Sequence, residues 1–156
     1  MTANDGHTSG NDSFAEIIIT NTPPVLASVD LSPDPAVEAD TLTCSPGDTT
    51  DIDGTVGFAY DFAWTVSGVD VAVIEDTLDG TYFDRYDDVA CTVTPNDGFL
   101  DGEPLTSEAL VIDNAPPSVV DATLEPSEVR EGDTVSCQGS GWSDLDGDPE
   151  GYHTVW

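Results

Sequence analysis

Lysine is absent from this 156-residue chain, and its two basic residues are Arg85 and Arg130. Without lysine there can be no P-loop lysine, no Schiff base and no lysine–asparagine isopeptide bond. Against the two arginines stand 32 acidic residues, which give a formal net charge of -30. Nucleic-acid binding needs a basic surface, and an anionic membrane surface repels such a chain, so we expect neither as a partner.

Long apolar runs and a helical period are also missing. The longest aliphatic cluster, three isoleucines at residues 17–19, is far too short to cross a bilayer, which predicts no membrane span. Valine, threonine and isoleucine recur in short runs separated by 14 glycines and 11 prolines. This pattern favours short strands and tight turns, so we expect an all-β fold.

Three blocks of sequence recur with one spacing. The block that begins at residue 21 returns at residue 114, which is 93 positions later, and the other two pairs keep this distance. One register shared by three blocks indicates a tandem repeat. The pairs are residues 21–24 with 114–117, 40–44 with 133–137, and 51–54 with 144–147.

The amino-terminal residues continue the same pattern, since residues 14–21 match residues 107–114 at the same spacing. We therefore expect one complete repeat between two partial ones, as in a window from a longer array. The expected domains are residues 1–22, the C-terminal strands of a preceding repeat; residues 23–115, the complete repeat; and residues 116–156, the N-terminal strands of a following repeat.

Within residues 23–115, runs of β-branched and aromatic residues follow one another at the spacing typical of a β-sandwich. Side chains alternate across a strand, so Cys44, Trp64 and Cys91 each lie on an apolar face. If those faces point inward, the three side chains meet in the core. The candidate strands are residues 25–31, 41–44, 58–66, 69–74, 89–94 and 107–112.

This order of Cys, Trp and Cys on successive strands resembles an immunoglobulin-type domain. Short motifs over nearly the whole chain are similar to the Ig-like, PKD- or cadherin-like tandem repeats of large bacterial and archaeal secreted surface proteins. The resemblance implies antiparallel β-sandwich repeats, one complete and two partial, at an extracellular or cell-surface location. The motifs are residues 93–98, 114–117, 133–137 and 141–148.

The same resemblance implies a disulfide between Cys44 and Cys91 that pins two sheets together. The alternative is two free buried thiols. Val89 stands where antibody domains carry a tyrosine two residues before the second cysteine, so the resemblance is to the broad architecture only. Cys137 is the counterpart of Cys44, and we expect its partner beyond Trp156 in a continuous array.

Acidic residues gather in the loop that follows each first cysteine strand. In a sandwich this loop lies at the same end as residues 96–97, so oxygens from two loops converge on one hard cation. Calcium takes about six to eight such oxygens, and its charge would offset the self-repulsion of the chain. The predicted ligands are Asp51, Asp53, Asn96, Asp97, Asp144, Asp146 and Asp148.

The acidic loops are also compatible with a function that involves no calcium. Their spacing is not that of an EF-hand, because Pro149 and Val155 stand where its glycine and glutamate belong. Asp-x-Asp-Gly also caps a turn without any metal, so a solvated turn is the alternative to a calcium site. A high-salt habitat would likewise account for the acidity of the chain.

The histidines, His7 and His153, both lie outside the complete repeat, and a catalytic site rarely needs copying in every repeat, so we expect no enzyme. The expected function is a structural segment of an extracellular fibre, filament or adhesin stalk, with neighbouring repeats or identical chains joined head to tail. The alternative is a calcium-dependent carbohydrate- or protein-binding module, with Tyr82, Phe83 and Tyr86 available to stack on a glycan.

Overall fold

The computed structural model describes residues 2–4, 6–7, 9–12 and 15–155. These residues form strands, turns and loops, and none of them lies in a helix, which confirms the expected all-β class. Within the same residues there is accordingly no helix of the length and apolarity that crossing a membrane requires. The strands are β1 (Thr2–Asn4), β2 (Ser9–Asp12), β3 (Val25–Leu26), β4 (Val29–Ser32), β5 (Ala36–Val37), β6 (Thr41–Pro46), β7 (Thr49–Thr50), β8 (Ala59–Val66), β9 (Val69–Val71), β10 (Thr77–Asp79), β11 (Asp88–Asn96), β12 (Leu105–Thr106), β13 (Leu110–Asp113), β14 (Asp121–Glu125) and β15 (Ser136–Ser140).

Two sheets contain most of these strands. One has three strands in the order β10-β6-β4, and the other has the order β5-β13-β11-β8-β9, with β12 also paired to β11. Neighbouring strands in these sheets are antiparallel except β5 and β13, which run parallel. Three further two-stranded pairs join β1 with β2, β3 with β7, and β14 with β15.

Strand β11 shows how the sequence produces one buried face. Every second residue from Val89 to Pro95 is buried, and the residues between them are half-buried. On the adjacent strand β8, Trp64 lies opposite Cys91 and is only 1% exposed. Leu42 from β6 and Leu78 from β10 belong to the same buried cluster, so one core draws its side chains from both sheets.

A disulfide joins the two sheets through this core. It links Cys44 in β6 to Cys91 in β11, with Cα atoms 6.3 Å apart and a sequence separation of 47. This confirms the predicted pairing over the alternative of two free thiols. Closing a loop of this length stabilises the fold by about 4 kcal/mol in the loop-entropy model. A disulfide also indicates an oxidising environment, which is consistent with an extracellular location.

The strand boundaries differ from the expected ones in several places. Residues 25–31 form two strands, β3 and β4, which pair with β7 and β6 respectively. The strand expected at residues 69–74 ends at Val71, and β10 is a strand that the sequence pattern did not reveal. Because β10 has three residues, of which Leu78 alone is buried, its alternation is too short to recognise. The expected strand at residues 107–112 is replaced by β12 and β13 on either side of a short loop.

The spacing of 93 residues recurs in the strand pairing. We call residues 21–55 the first copy and residues 114–148 the second copy. Each paired position of β4 and β6 in the first copy has its counterpart in β14 and β15. Corresponding pairs are Leu31 with Cys44 and Leu124 with Cys137, and also Val25 with Thr50 and Ser118 with Ser143. The exact repeat boundaries stay a prediction.

The two copies differ in burial. Cys44 is buried in its disulfide, whereas Cys137 is a half-buried free thiol. The partner of Cys137 in β14, Leu124, is 54% exposed, and both residues line an open groove of about 750 Å³. In the first copy, the corresponding face packs against core residues of β8 and β11.

Candidate functional site

Each predicted acidic loop contains an Asp-x-Asp-Gly turn whose residue types follow from its backbone. In the first copy the Asp51 carboxylate accepts a hydrogen bond from the backbone N–H of Asp53 at 2.6 Å. Gly54 follows with φ of 84°, and its counterpart Gly147 has φ of 70°. Glycine adopts this left-handed conformation at little cost. Aspartate and glycine are therefore needed for the turn itself, independently of any ligand.

Both loops are tied to the segment that leads into a pair of prolines. The Asp53 carboxylate accepts a hydrogen bond from the backbone N–H of Thr22 at 2.6 Å. In the second copy, Asp146 accepts the corresponding bond from Ala115, also at 2.6 Å. Each linker residue precedes a proline, whose fixed φ restricts the chain further. The second aspartate of each turn thus holds the linker in place.

We call Asn21, Asp51, Asp53 and Asp97 the first loop cluster. Asp97 is buried, with 6% exposure, and one of its oxygens accepts two backbone N–H bonds from its own turn, both at 2.8 Å. Its other oxygen accepts a bond from the Asn21 side-chain amide at 2.7 Å. The bond from Asn21, followed by those from the turn, lowers the pKa of Asp97 below its usual value. Asp97, whose carboxylate also contacts that of Asp51, is therefore charged at neutral pH.

The second loop cluster consists of Glu38, Arg85, Asn114, Asp144, Asp146 and Asp148. One carboxylate oxygen from each of Asp144, Asp146 and Asp148 lies within 4.8 Å of the other two, and all three residues are half-buried. The turn brings them together, because the backbone N–H of Asp148 donates to the Asp144 carboxylate at 3.1 Å. A single cation placed among these oxygens would contact several of them.

Glu38 reaches the second loop cluster from a distant part of the chain. It directly follows β5, and its carboxylate contacts that of Asp146. Loss of solvent, followed by this contact, raises the pKa of Glu38 above its usual value. The approach depends on Gly80, where a Cβ atom would overlap the backbone oxygen of Glu38. A like charge this close disfavours the ionised form, and a proton or a cation between the two carboxylates would relieve the repulsion.

Three buried carboxylate oxygens in the two clusters receive no hydrogen bond. They are Oδ2 of Asp51, Oδ2 of Asp144 and Oδ1 of Asp146. Asp51 and Asp144 are counterparts at the repeat spacing, so the same oxygen lacks a donor in both copies. Leaving a buried polar group unsatisfied costs about 1–3 kcal/mol, and more when the group is charged, and a bound cation is one way to avoid that cost.

As a group, Asp144, Asp146 and Asp148 could hold a hard divalent cation such as calcium. Their unsatisfied atoms are carboxylate oxygens, which calcium prefers, and its flexible coordination accepts irregular spacing. Magnesium demands a near-ideal octahedron, and softer metals favour nitrogen or sulfur ligands. Neither cluster contains a histidine or a cysteine. The donor set is therefore of the oxygen-only kind that calcium accepts.

Of the predicted ligands, the structure brings Asp144, Asp146 and Asp148 within ligand distance of one another, and among the residues it describes there is no such group of three at Asp51, Asp53 and Asp97. Asn96 lies outside both clusters. The side-chain oxygen of Asn96 accepts a bond from the backbone N–H of Gly98 at 2.6 Å, and its amide donates to Asp101 at 2.6 Å. Both polar atoms of Asn96 are thus engaged within its own turn. That the remaining residues bind a metal stays a prediction.

Sequence reasoning missed three members of the second loop cluster, Glu38, Arg85 and Asn114, and one member of the first, Asn21. Glu38 has a counterpart at the repeat spacing, Glu131, and this recurrence was a usable signal. Arg85 offered a different one, because it is one of only two basic residues in a strongly acidic chain. Neither Glu38 nor Arg85 lies near the aspartates in sequence, so only the fold brings them together.

The aromatic residues considered for glycan stacking lie in different environments. Phe83 is 3% exposed and belongs to the core, so it is not available to a ligand. Tyr82 and Tyr86 are exposed, and the guanidinium carbon of Arg85 lies 5.1 Å from the centre of the Tyr86 ring. Tyr86 therefore already has a cationic partner within the chain.

Comparison with family models, with curated proteins and with solved structures finds no match. The family resemblance noted in the sequence therefore stays a prediction. The geometry of the two loop clusters is what supports a function.

Proposed function

We propose that this chain is a structural segment of an extracellular fibre, filament or adhesin stalk, built from tandem Ig-like repeats whose junctions are stiffened by calcium. The observation that carries this proposal is the repeated bond between an acidic loop and a proline-led linker, from Thr22 to Asp53 and from Ala115 to Asp146. A spacer needs a fixed angle between successive units. A catalytic centre has no need for such repetition.

The strand order supports the Ig-like part of the proposal. An immunoglobulin-type sandwich places strands A, B and E in one sheet and strands C, F and G in the other. Here β4, β6 and β10 form one sheet, and β8, β11 and β13 belong to the other. The disulfide between Cys44 and Cys91 joins the second strand of one set to the F-like strand of the other, and Trp64 lies beside it on the C-like strand.

Contacts between the expected repeats support a stiff junction. Glu38 and Arg85, from residues 23–115, contact Asp146 and Asp148, from residues 116–156. These contacts meet at the linker that contains Ala115, which is 2% exposed. On this proposal the partners of one repeat are its neighbours in the array. Head-to-tail association of identical chains stays a prediction.

Calcium binding would explain why acidic residues gather at these junctions. An ion between Asp144 and Asp146 would satisfy the oxygens of both that receive no hydrogen bond, and it would offset the charge of Asp146 that faces Glu38. It would also reduce the repulsion that a net charge of -30 implies. Because Asp146 also accepts the hydrogen bond from Ala115, an ion that fixes Asp146 would restrain the linker.

Thermal unfolding with and without calcium tests the proposal. We expect the melting temperature to rise by several degrees between EDTA and millimolar calcium at constant ionic strength, since a ligand present at 100 times its Kd stabilises the folded state by about 2.7 kcal/mol. Asp144→Asn combined with Asp146→Asn should remove most of this rise. The amide oxygen of asparagine can still accept the bond from Ala115, so the variant removes charge and keeps the linker bond.

Asp70→Asn is the matched control, because Asp70 is exposed on β9 and lies in neither cluster. This variant should keep the full response to calcium. A melting temperature that is unchanged by calcium but raised by molar sodium or potassium chloride would contradict the calcium proposal. It would instead favour adaptation of the acidic surface to high salt.

A further inference from the structure

Arg85 forms a bridge at the second loop cluster that the calcium proposal does not explain. Its Nη1 atom lies 2.6 Å from Oδ2 of Asp148 and 2.6 Å from Oδ1 of Asn114. Asn114 is in the linker, and Asp148 is in the acidic loop beyond the linker. One guanidinium nitrogen thus connects residues 23–113 to both parts of the junction.

The turn that presents Arg85 is held firmly in place. The Asp87 carboxylate accepts bonds from the backbone N–H of Asp84 at 2.8 Å and from the Ser67 hydroxyl at 2.6 Å. Tyr86, with φ of 70°, donates its backbone N–H to the carbonyl of Ile112 at 2.8 Å. Ile112 lies in β13, the strand that leads into the linker, so this one strand holds both the turn and the start of the linker.

The bridge uses one residue of the triad formed by Asp144, Asp146 and Asp148, whose carboxylate oxygens lie within 4.8 Å of one another. Asp148 is the third aspartate of that triad, and its carboxylate is already paired with a cation, Arg85. The counterpart of Asp148 in the first copy is Thr55, which has no carboxylate. An arginine could form no ion pair at that position. The bridge is therefore a property of one junction and not of the repeat in general.

We propose that Arg85 is a built-in cation of the second junction, a positioning residue that fixes the orientation of the following repeat even without a divalent ion. By pairing with Asp148 it also withdraws that carboxylate from the ligand set and leaves Asp144 and Asp146 for calcium. The first statement stands without the calcium proposal, and the second rests on it.

The test compares two arginine variants that remove the same charge. Arg85→Gln breaks the bridge, while Arg130→Gln changes the exposed arginine outside the loop clusters. Residual dipolar couplings of the whole chain in EDTA report whether residues 23–113 and 118–148 share one molecular alignment. We expect a shared alignment in the unmodified chain and in Arg130→Gln, and separate alignments in Arg85→Gln. Unchanged amide shifts in β8 and β11 would establish that the variant is folded.

A shared alignment in Arg85→Gln, or separate alignments in the unmodified chain, would overturn the positioning role. Neither result depends on whether the protein binds calcium, so failure of this inference and failure of the calcium proposal can be distinguished.

Calcium titration by calorimetry tests the second statement. Removing a positive charge beside the triad and releasing Asp148 should tighten calcium binding in Arg85→Gln by about three- to tenfold. Arg130→Gln should bind as the unmodified chain does. Equal affinity in both variants would show that Arg85 does not compete for Asp148. Absence of calcium binding in every variant would overturn the calcium proposal and, with it, this second statement.

Discussion

The first and second copies are one local structure in two different environments. Their linker bonds, strand registers and left-handed turn glycines correspond position by position at the repeat spacing. Their surroundings differ, because the first copy packs on the disulfide-linked core and adds Asp97 to its acidic loop. The second copy instead meets Glu38 and Arg85.

This difference separates two kinds of structural cause. Features that recur in both copies depend on residues within the same copy, as when the second aspartate of each turn accepts a bond from the linker residue 31 positions earlier. Features found in one copy depend on what the fold brings near it. The carboxylate contacts are of this second kind, since Asp51 meets Asp97 in one cluster and Asp146 meets Glu38 in the other.

The largest expected effect comes from removing the disulfide that distinguishes the cores of the two copies. Replacing both Cys44 and Cys91 by alanine should lower the free energy of unfolding by about 4 kcal/mol, because the cross-link no longer restricts the unfolded chain. Urea unfolding followed by tryptophan fluorescence measures this loss. Cys137→Ala, at the counterpart of Cys44, should change stability by less than about 0.5 kcal/mol. Similar losses of stability in the Cys44 and Cys91 double variant and in Cys137→Ala would contradict the difference in burial between Cys44 and Cys137.

An effect of intermediate size is expected from Gly80, whose missing side chain allows Glu38 to approach the second loop cluster. In Gly80→Ala the new Cβ atom would collide with the Glu38 backbone oxygen, so we expect a loss of about 2 kcal/mol from overpacking. Gly57→Ala is the control, because its Cβ atom would have no neighbour within 4 Å. Thermal unfolding measures stability, and amide shifts locate the change. Equal stability of the two variants would count against the close approach of Glu38.

Gly102→Ala makes the reciprocal change at the first loop cluster. Its Cβ atom would collide with the backbone oxygen of Pro24, in the linker that follows Asn21. We expect amide shifts to move around Asp53 and Thr22 in this variant and around Asp146 and Ala115 in Gly80→Ala. If Gly102→Ala instead moved the amide shifts around Asp146 and Ala115, and Gly80→Ala moved those around Asp53 and Thr22, the two clusters would not depend on separate glycine contacts.

The smallest expected effect is a loss of stability in acid at the turn that presents Arg85. The Ser67 hydroxyl, followed by the backbone N–H of Asp84, lowers the pKa of Asp87. Asp87 therefore contributes stability above about pH 4, and this contribution is lost as the pH falls through its lowered pKa. Solvent screening should keep the loss below about 1 kcal/mol. Melting temperatures between about pH 5 and pH 2 should fall less steeply in Asp87→Asn than in the exposed control Asp88→Asn.

Much of the candidate site could be predicted because its turn chemistry is local. Asp144, Asp146 and Asp148 lie within five consecutive residues, and their spacing alone suggests that their oxygens lie close together. Glu38 is more than a hundred residues away in sequence, and no local pattern connects it to Asp146. Asn96 was predicted as a ligand because of its residue type, but both its polar atoms form hydrogen bonds within its own turn. Residue type alone therefore does not identify a ligand.

The fold was predictable to a similar extent. Alternation revealed β8 and β11, because strands of eight and nine residues show a clear period. It did not reveal β10, and it merged β3 with β4, because segments of two to four residues show too little alternation.

The sequence by itself determined the all-β class, the repeat spacing, the acidic turns and the charge that such a chain must accommodate. These properties depend on residue types, on their order and on hydrogen bonds between near neighbours. Only the tertiary structure decided that Arg85 reaches Asp148 and Asn114 and that Glu38 faces Asp146. Such contacts form between segments far apart in sequence, and they depend on how the strands of both sheets pack around the core.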